Sequence, residues 1–319
     1  MNELAVPRQS LGGLGPLVGQ GGQAKVYLAP DVRLPDVAGA LVFKHYRPGQ
    51  APPGGLRALV GRRLRMTATA RRRLDLCTAW PVRTVEEDGE VCGVLMPLIP
   101  EDFFHPRVLP SGVRDRALLE FQHLFIDPSR AGRFGMPKPN LRTRALFCRD
   151  FASAMHFLHS NELVLGDINA KNAVFRLTAR PSVRLIDCDA IRVRGSAAVV
   201  AQLNAPDWEP PERRLSQATD LYKFGLLVLR TLCPGTGASL LRDPAHARGV
   251  LDGAGLQLLS RTLGDNPEGR PSAKDWGRYL DAEFDFDRLS RGTADGTRTY
   301  GWVREPGTKK WVPASPHGV

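Results

Sequence analysis

Four short stretches of this chain carry side chains suited to handling a phosphate-bearing ligand. Gly19-Gln20-Gly21-Gly22-Gln23-Ala24-Lys25-Val26 is glycine-rich and lies between two strand-like segments. Glycine lets a backbone approach an anion closely and aim N–H groups at it. A dinucleotide-type βαβ unit would need a helix after the glycines; Lys25 to Leu28 reads as strand instead, which favours a hairpin covering phosphates. Val42-Phe43-Lys44 places a single lysine behind apolar residues, as a buried phosphate-neutralising ammonium requires. Asp167 and Asn172 share the short segment Leu165-Gly166-Asp167-Ile168-Asn169-Ala170-Lys171-Asn172, where one side chain can accept a hydroxyl proton and the other hold a metal. In Leu185-Ile186-Asp187-Cys188-Asp189 a carboxylate ends a short apolar strand. That suits Mg²⁺, which takes one or two carboxylates and completes its shell with phosphate oxygens and water. Singly, each stretch has a plainer reading: a glycine hairpin, an exposed strand-end lysine, helix caps or turn aspartates.

The segments around them are of two kinds. From Leu14 to Met96, short apolar runs alternate with Gly, Pro and Asp. Leu17-Val18, Lys25 to Leu28, Ala40 to Phe43, Val82 to Val85 and Val91 to Met96 read as strands, the last two joined across Asp88-Gly89, a strong hairpin signal. Leu56, Leu59, Val60 and Leu64 recur at helical spacing, predicting one helix from Leu56 to Leu76. Beyond Pro97 and Pro100 the pattern turns helical: Leu118 to Phe125, Arg142 to Leu158, Leu221 to Leu232, Gly249 to Leu263 and Ser272 to Phe284. Two strand-like runs, Ala173 to Phe175 and Val183 to Ile186, interrupt it. The fold class expected is α+β and bilobal: a small, mostly antiparallel sheet with one main helix, then a larger helical lobe. The divisions are 1–100, 101–285 and a polar tail, 286–319, where Trp302 and Trp311 flank a candidate hairpin.

In this order and spacing the stretches resemble the protein-kinase signature set. Downstream, Pro210-Pro211-Glu212 resembles the A-P-E element. Asp220-Leu221-Tyr222-Lys223-Phe224-Gly225 resembles the helix start that supports the catalytic loop, and Arg270 lies where a partner for Glu212 is expected. The likeness spans about Leu17 to Leu280. Its Gly-Asp-Ile-Asn wording is similar to atypical bacterial Ser/Thr kinases. The resemblance implies a bilobal fold binding ATP and Mg²⁺. Gly19, Gly21 and Ala24 would cover the phosphates. Val26, Val42 and Val174 would form the adenine slot, with Met96 as gatekeeper and Leu98 or Ile99 at the hinge. Lys44 would hold the α/β-phosphates, Asp167 would act on the substrate hydroxyl, and Asn172 and Asp187 would bind the metal.

Several positions depart from the family pattern. The predicted helix has no glutamate and only one acid, Asp75, so Lys44 lacks its usual partner. Leu165-Gly166 replaces the His-Arg ahead of the catalytic aspartate, and Asn169 stands where a lysine is usual. Asp189 replaces a glycine and is a candidate extra metal contact. Cys188, in place of an aromatic, reads as an inert buried thiol. Between Arg192 and Trp208 only Ser196 offers a hydroxyl for phosphorylation.

The net charge of +11 has two readings, an anionic partner such as nucleic acid or an arginine-rich composition, and the spread of arginine along the chain favours composition. An Arg-rich stretch (Arg57, Arg62, Arg63, Arg65, Arg71, Arg72, Arg73) reads as a solvated helix face. The five cysteines show no metal or disulfide spacing, no run is long enough for a membrane span, and the first residues do not form a secretory signal, so a cytoplasmic setting is expected. The favoured function is Ser/Thr protein phosphorylation, including autophosphorylation. The alternatives are a non-catalytic kinase-fold scaffold acting through a regulatory partner, and phosphotransfer to a small molecule.

Overall fold

The computed structural model describes residues 4–51, 55–109, 111–133, 135–195, 206–284, 302–304 and 311–313. Ser196 and most of the segment leading to Trp208 lie outside them.

The first lobe is built on strands β1 (Ala5–Pro7), β2 (Leu17–Gln20), β3 (Ala24–Ala29) and β4 (Leu41–Tyr46), helices α1 (Gly55–Arg65) and α2 (Ala68–Cys77), and strands β5 (Arg83–Glu87) and β6 (Glu90–Pro97). The strands form one sheet in the order β1-β5-β6-β4-β3-β2. Only the β1–β5 pair is parallel. Asp88 and Gly89 both have positive φ, as a two-residue hairpin between β5 and β6 demands. β4 lies between β3 and β6 and is buried on both faces, which explains its continuous run of large residues. β1 was not foreseen: three residues ending in proline carry little pattern.

The predicted single helix is two. Thr67 divides the run that apolar spacing alone suggests, because its hydroxyl caps a new helix by accepting from the Ala70 N–H. α1 buries Leu56, Leu59, Val60 and Arg63, one face at i, i+3, i+4 and i+7. Arg63 is fully buried and bonds Asp75 of α2 at 2.8 and 2.7 Å, while also pairing with Asp36. Asp36 in turn accepts from Arg83 of β5 at 2.7 Å. The Trp80 indole N–H donates to the Leu59 carbonyl at 3.1 Å. These contacts fix α1 to the sheet.

A hairpin follows, β7 (Phe104–Val108) with β8 (Arg114–Leu118), closing at Gly112, whose φ of 79° needs glycine. The helix expected from Leu118 is therefore only α3 (Gln122–Phe125), and the Pro/Gly-rich stretch after it holds a short helix, α4 (Pro128–Arg133). The second lobe centres on α5 (Leu141–Ser160), with β9 (Leu163–Val164), the hairpin β10 (Ala173–Arg176) and β11 (Ser182–Leu185), and β12 (Arg192–Val193). Helices α6 (Gln217–Leu232), α7 (Gly253–Thr262) and α8 (Ala273–Phe284) complete it. α6 is buried almost all round, as a helix at the centre of a lobe must be. Phe121, Phe147, Phe151, Phe175, Phe224 and Trp276 touch in a chain of ring contacts through the core of this lobe. In the tail, β13 (Trp302–Arg304) pairs antiparallel with β14 (Trp311–Pro313), the hairpin expected there.

Candidate active site

Two hairpins and one helix start bring the predicted residues together. β2 and β3 close over the glycine run, with the Gly21 N–H bonded to the Ala24 carbonyl at 2.9 Å. A side chain at Gly21 or Gly22 would meet nothing within 4 Å, so neither glycine is required by packing inside the protein. Strand register sets Val26 beside Lys44 and Val42 beside Met96. Ala24, Val26, Val42, Met96 and Leu98 fall in one apolar cluster; Val174, fully buried on β10, lies outside it. Just past β6 the Leu98 N–H is committed to the Ala40 carbonyl at 2.9 Å, so that donor is engaged within the protein. Ile99 is half-buried.

The loop between β9 and β10 is held from below. The two carboxylate oxygens of Asp220, completely buried at the start of α6, accept from the Leu165 and Gly166 N–H groups at 2.8 Å each. His159 Nε2 lies 3.0 Å from the same carboxylate. Lys223, one turn further along α6, donates to the Gly166 carbonyl at 2.5 Å. On this frame the Asn172 amide nitrogen donates to Asp167 Oδ2 at 2.8 Å and to its carbonyl at 2.9 Å. Asn169 donates to Asp167 Oδ1 at 3.1 Å, so an amide stands where the family has a lysine. Lys171 is exposed.

β10 and β11 pair Ala173 with Leu185, which brings Asn172 and Asp187 to the same end of one hairpin. Asp167, Asn169, Asn172 and Asp187 line one cleft there. Asp187 has φ of 54° and ψ of 38°, a left-handed backbone uncommon for a residue with a side chain. Its carboxylate is 56% exposed. One exposed carboxylate plus an amide oxygen, with space above, fits Mg²⁺ shared with phosphate oxygens. Among the described residues no group of three His, Cys, Asp or Glu side chains forms a self-contained metal cage.

Lys44 has the carboxylate partners that the sequence left in question. Its ammonium lies 2.8 Å from both oxygens of Asp189 and 3.1 Å from Asp187. Tyr46, two residues along the same face of β4, donates its hydroxyl to Asp189 Oδ2 at 2.5 Å. Burial would push the lysine towards neutrality, but the charges and hydrogen bonds of Asp189 and Asp187 override it and raise its pKa. Burial, then the Asp189 charge, holds the Tyr46 hydroxyl protonated. The Asp189 side chain is 7% exposed. That corrects the expectation of an extra metal contact: both oxygens already face Lys44 and Tyr46. Cys188 is buried, and burial drives its thiol pKa well up, as an inert thiol requires. Tyr46 is the site residue that motif reading missed, although its spacing from Lys44 marks the same strand face.

Further out, Arg270 pairs with Glu212, at 2.9 Å for its second guanidinium nitrogen, as the motif order suggested. Arg57, Arg65, Arg72 and Arg73 are exposed, as the solvated face expected for α1 and α2 requires, but Arg63 departs from it and several of the others are engaged. Arg63 is buried, Arg57 pairs with Glu86 at 2.8 Å, Arg62 bonds the Asn161 carbonyl, and Arg73 lies 4.9 Å over the Phe157 ring.

The kinase domain of Mycobacterium tuberculosis PknI superposes on this chain with a TM-score of 0.53 at 20% identity, covering 84% of this chain and 94% of that one. The chain has a protein-kinase-like fold. Two double-mutant forms of the same domain match similarly, at 18% and 19% identity with TM-scores of 0.53 and 0.52. Comparison with protein-family models and with curated proteins returned no match. β1 to β6 with α1 and α2 make the sheet-rich N-terminal part, and α5 to α8 the helical C-terminal part. No helix among the described residues is long and apolar enough to cross a membrane.

Proposed function

We propose that this chain transfers the γ-phosphoryl group of Mg-ATP to serine or threonine hydroxyls of protein substrates. The observation that carries the reading is the meeting of Lys44 and Asp187 at 3.1 Å above a loop in which Asn172 orients Asp167 at 2.8 Å. Mg-ATP would supply the transferable group and the cation that neutralises its charge. The residues do the rest by positioning and fixed charge, the usual basis of catalysis in this class. Asp187 and the amide oxygen of Asn172 would hold the metal. Lys44 would face the α/β-phosphates. Asp167 would orient the substrate hydroxyl and take its proton. Gly19, Gly21 and Ala24 would lie over the phosphates, where the open space at Gly21 leaves room for them. Val26, Val42, Met96 and Val174 would enclose adenine. The Leu98 carbonyl and the Ile99 backbone would read its edge, since the Leu98 N–H is already bonded.

The missing helix glutamate and the altered metal loop both favour the scaffold alternative, and the pairing of Lys44 with Asp189 and Asp187 weakens the first of these. The buried Arg270–Glu212 pair supports a protein rather than a small-molecule substrate, through likeness to the helical lobe of protein kinases. The test is transfer of γ-labelled phosphate from Mg-ATP to the protein itself and to a generic basic substrate, beside Asp167→Ala and Asp187→Ala. Transfer that disappears in both variants supports the reading. Transfer unchanged in Asp167→Ala means that the roles are wrongly assigned.

A further inference from the structure

We propose that Asp189 is the positioning residue for Lys44, so that the lysine is aligned from the metal loop and not from helix α1. This deepens the phosphotransfer reading and rests on Lys44 facing a nucleotide.

Three sets of contacts lead to it. First, Asp189 grips Lys44 with both oxygens at 2.8 Å, closer than Asp187 at 3.1 Å. The Tyr46 hydroxyl fixes the same carboxylate from the same strand. A buried carboxylate needs such hydrogen-bonding partners, and a buried ammonium needs its counter-charge. Second, the loop is anchored in both lobes. Cys188 is buried in the large-lobe core, while its neighbour Asp189 reaches up to β4. Third, α1 has nothing to offer. It contains no acid, its inward residues Leu56, Leu59 and Val60 are apolar and buried, and Arg63 binds it to Asp36 and Asp75. A helix held in this way cannot align the lysine by swinging a carboxylate towards it.

The division of labour follows from exposure. Asp187 is open to the cleft and can turn to a metal, whereas Asp189 is enclosed and remains with Lys44. Lysine has three donors, so two can stay on Asp189 while the third meets a phosphate oxygen.

The test is a double-mutant cycle on binding, with a fluorescent ATP analogue and Mg²⁺ as the probe, in Lys44→Met, Asp189→Asn and the double variant. Asp189→Asn keeps the shape of the side chain and removes its charge. We expect each single change to weaken binding about tenfold and the double to be no worse than either, because both remove one interaction. Additive losses overturn the proposal, and so does unchanged binding in Asp189→Asn. Under transfer conditions, Asp189→Asn should lower kcat at least thirtyfold at saturating Mg-ATP, with Asp189→Glu recovering part of it. A loss restored by raising Mg²⁺ would make Asp189 a metal ligand and overturn the proposal. A lowered Tm with kcat and KM intact at low temperature would reduce it to a loop staple, overturning it equally. If the wild type binds the probe but transfers nothing, the phosphotransfer reading fails while the binding cycle still decides Asp189. If the wild type does not bind the probe, both fall.

Discussion

Asp220 reaches 54 residues back along the chain to accept the Gly166 N–H at 2.8 Å, and its other oxygen takes the Leu165 N–H. Replacing it with alanine would leave two buried N–H groups unpaired beneath the residue proposed to act on the substrate. Asp220→Ala should therefore cost about 3–5 kcal/mol in chemical denaturation. It should also remove phosphotransfer at temperatures where the variant is still folded.

Asp36 ties the small lobe together through Arg63 and Arg83. Burial pushes its carboxyl up, but the hydrogen bonds and charges of Arg83 and Arg63 win, and its pKa falls from 3.8 to about 2. The sign follows from linkage: a folded pKa below the unfolded one gives stability that is complete above the unfolded value. That stability is lost as pH falls from about 4 towards about 2. Asp36→Asn should lower stability by about 1 kcal/mol at pH 7, after allowing for solvent screening, and flatten the acid limb of a Tm-against-pH curve.

Asp150 on α5 behaves oppositely. Burial raises its pKa from 3.8 to about 6 against the neighbouring Arg149, and Asp281 adds to the rise. The folded protein then holds a proton that the unfolded chain releases, so stability falls as pH climbs from about 4 to about 6 and stays lower above that. Asp150→Asn should raise Tm at pH 7.5, by the equivalent of about 1–2 kcal/mol after allowing for partial solvent screening. Below pH 4 the gain should vanish.

The Arg270 side chain is fully buried and bonds Glu212, the Ala218 carbonyl at 2.9 Å and the Gly264 carbonyl at 3.0 Å. Its guanidinium also lies 5.0 Å over the Tyr222 ring. A lysine lacks this planar fork, so Arg270→Lys should not rescue Arg270→Ala. Each should cost about 3 kcal/mol or more in urea denaturation.

The α+β fold class was legible, and so were four residues that the structure brings close together. Lys44, Asp167, Asn172 and Asp187 stand out because chemistry fixes their types and short loops fix their spacing. The elements read best where a pattern repeats over many residues, as in α5 and β6. Reading failed where a single local bond decides. One hydroxyl, on Thr67, divides the helix. One glycine, Gly112, folds 104–118 into a hairpin whose strands carry arginine and proline rather than clean alternation. The Lys44–Asp189 pair is separated by 145 residues. A glycine-to-aspartate departure in a metal loop reads naturally as a metal contact, and only three dimensions show that its oxygens turn the other way.

The left-handed backbone at Asp187 has an evolutionary side. Glycine adopts that conformation freely and aspartate more readily than most residues, whereas an ordinary side chain there costs on the order of 1 kcal/mol. A chain selected for stability alone would drift to glycine at this position. Asp187→Gly should thus unfold at a higher temperature than Asp187→Ala, so a carboxylate at this position is carried at some expense of stability.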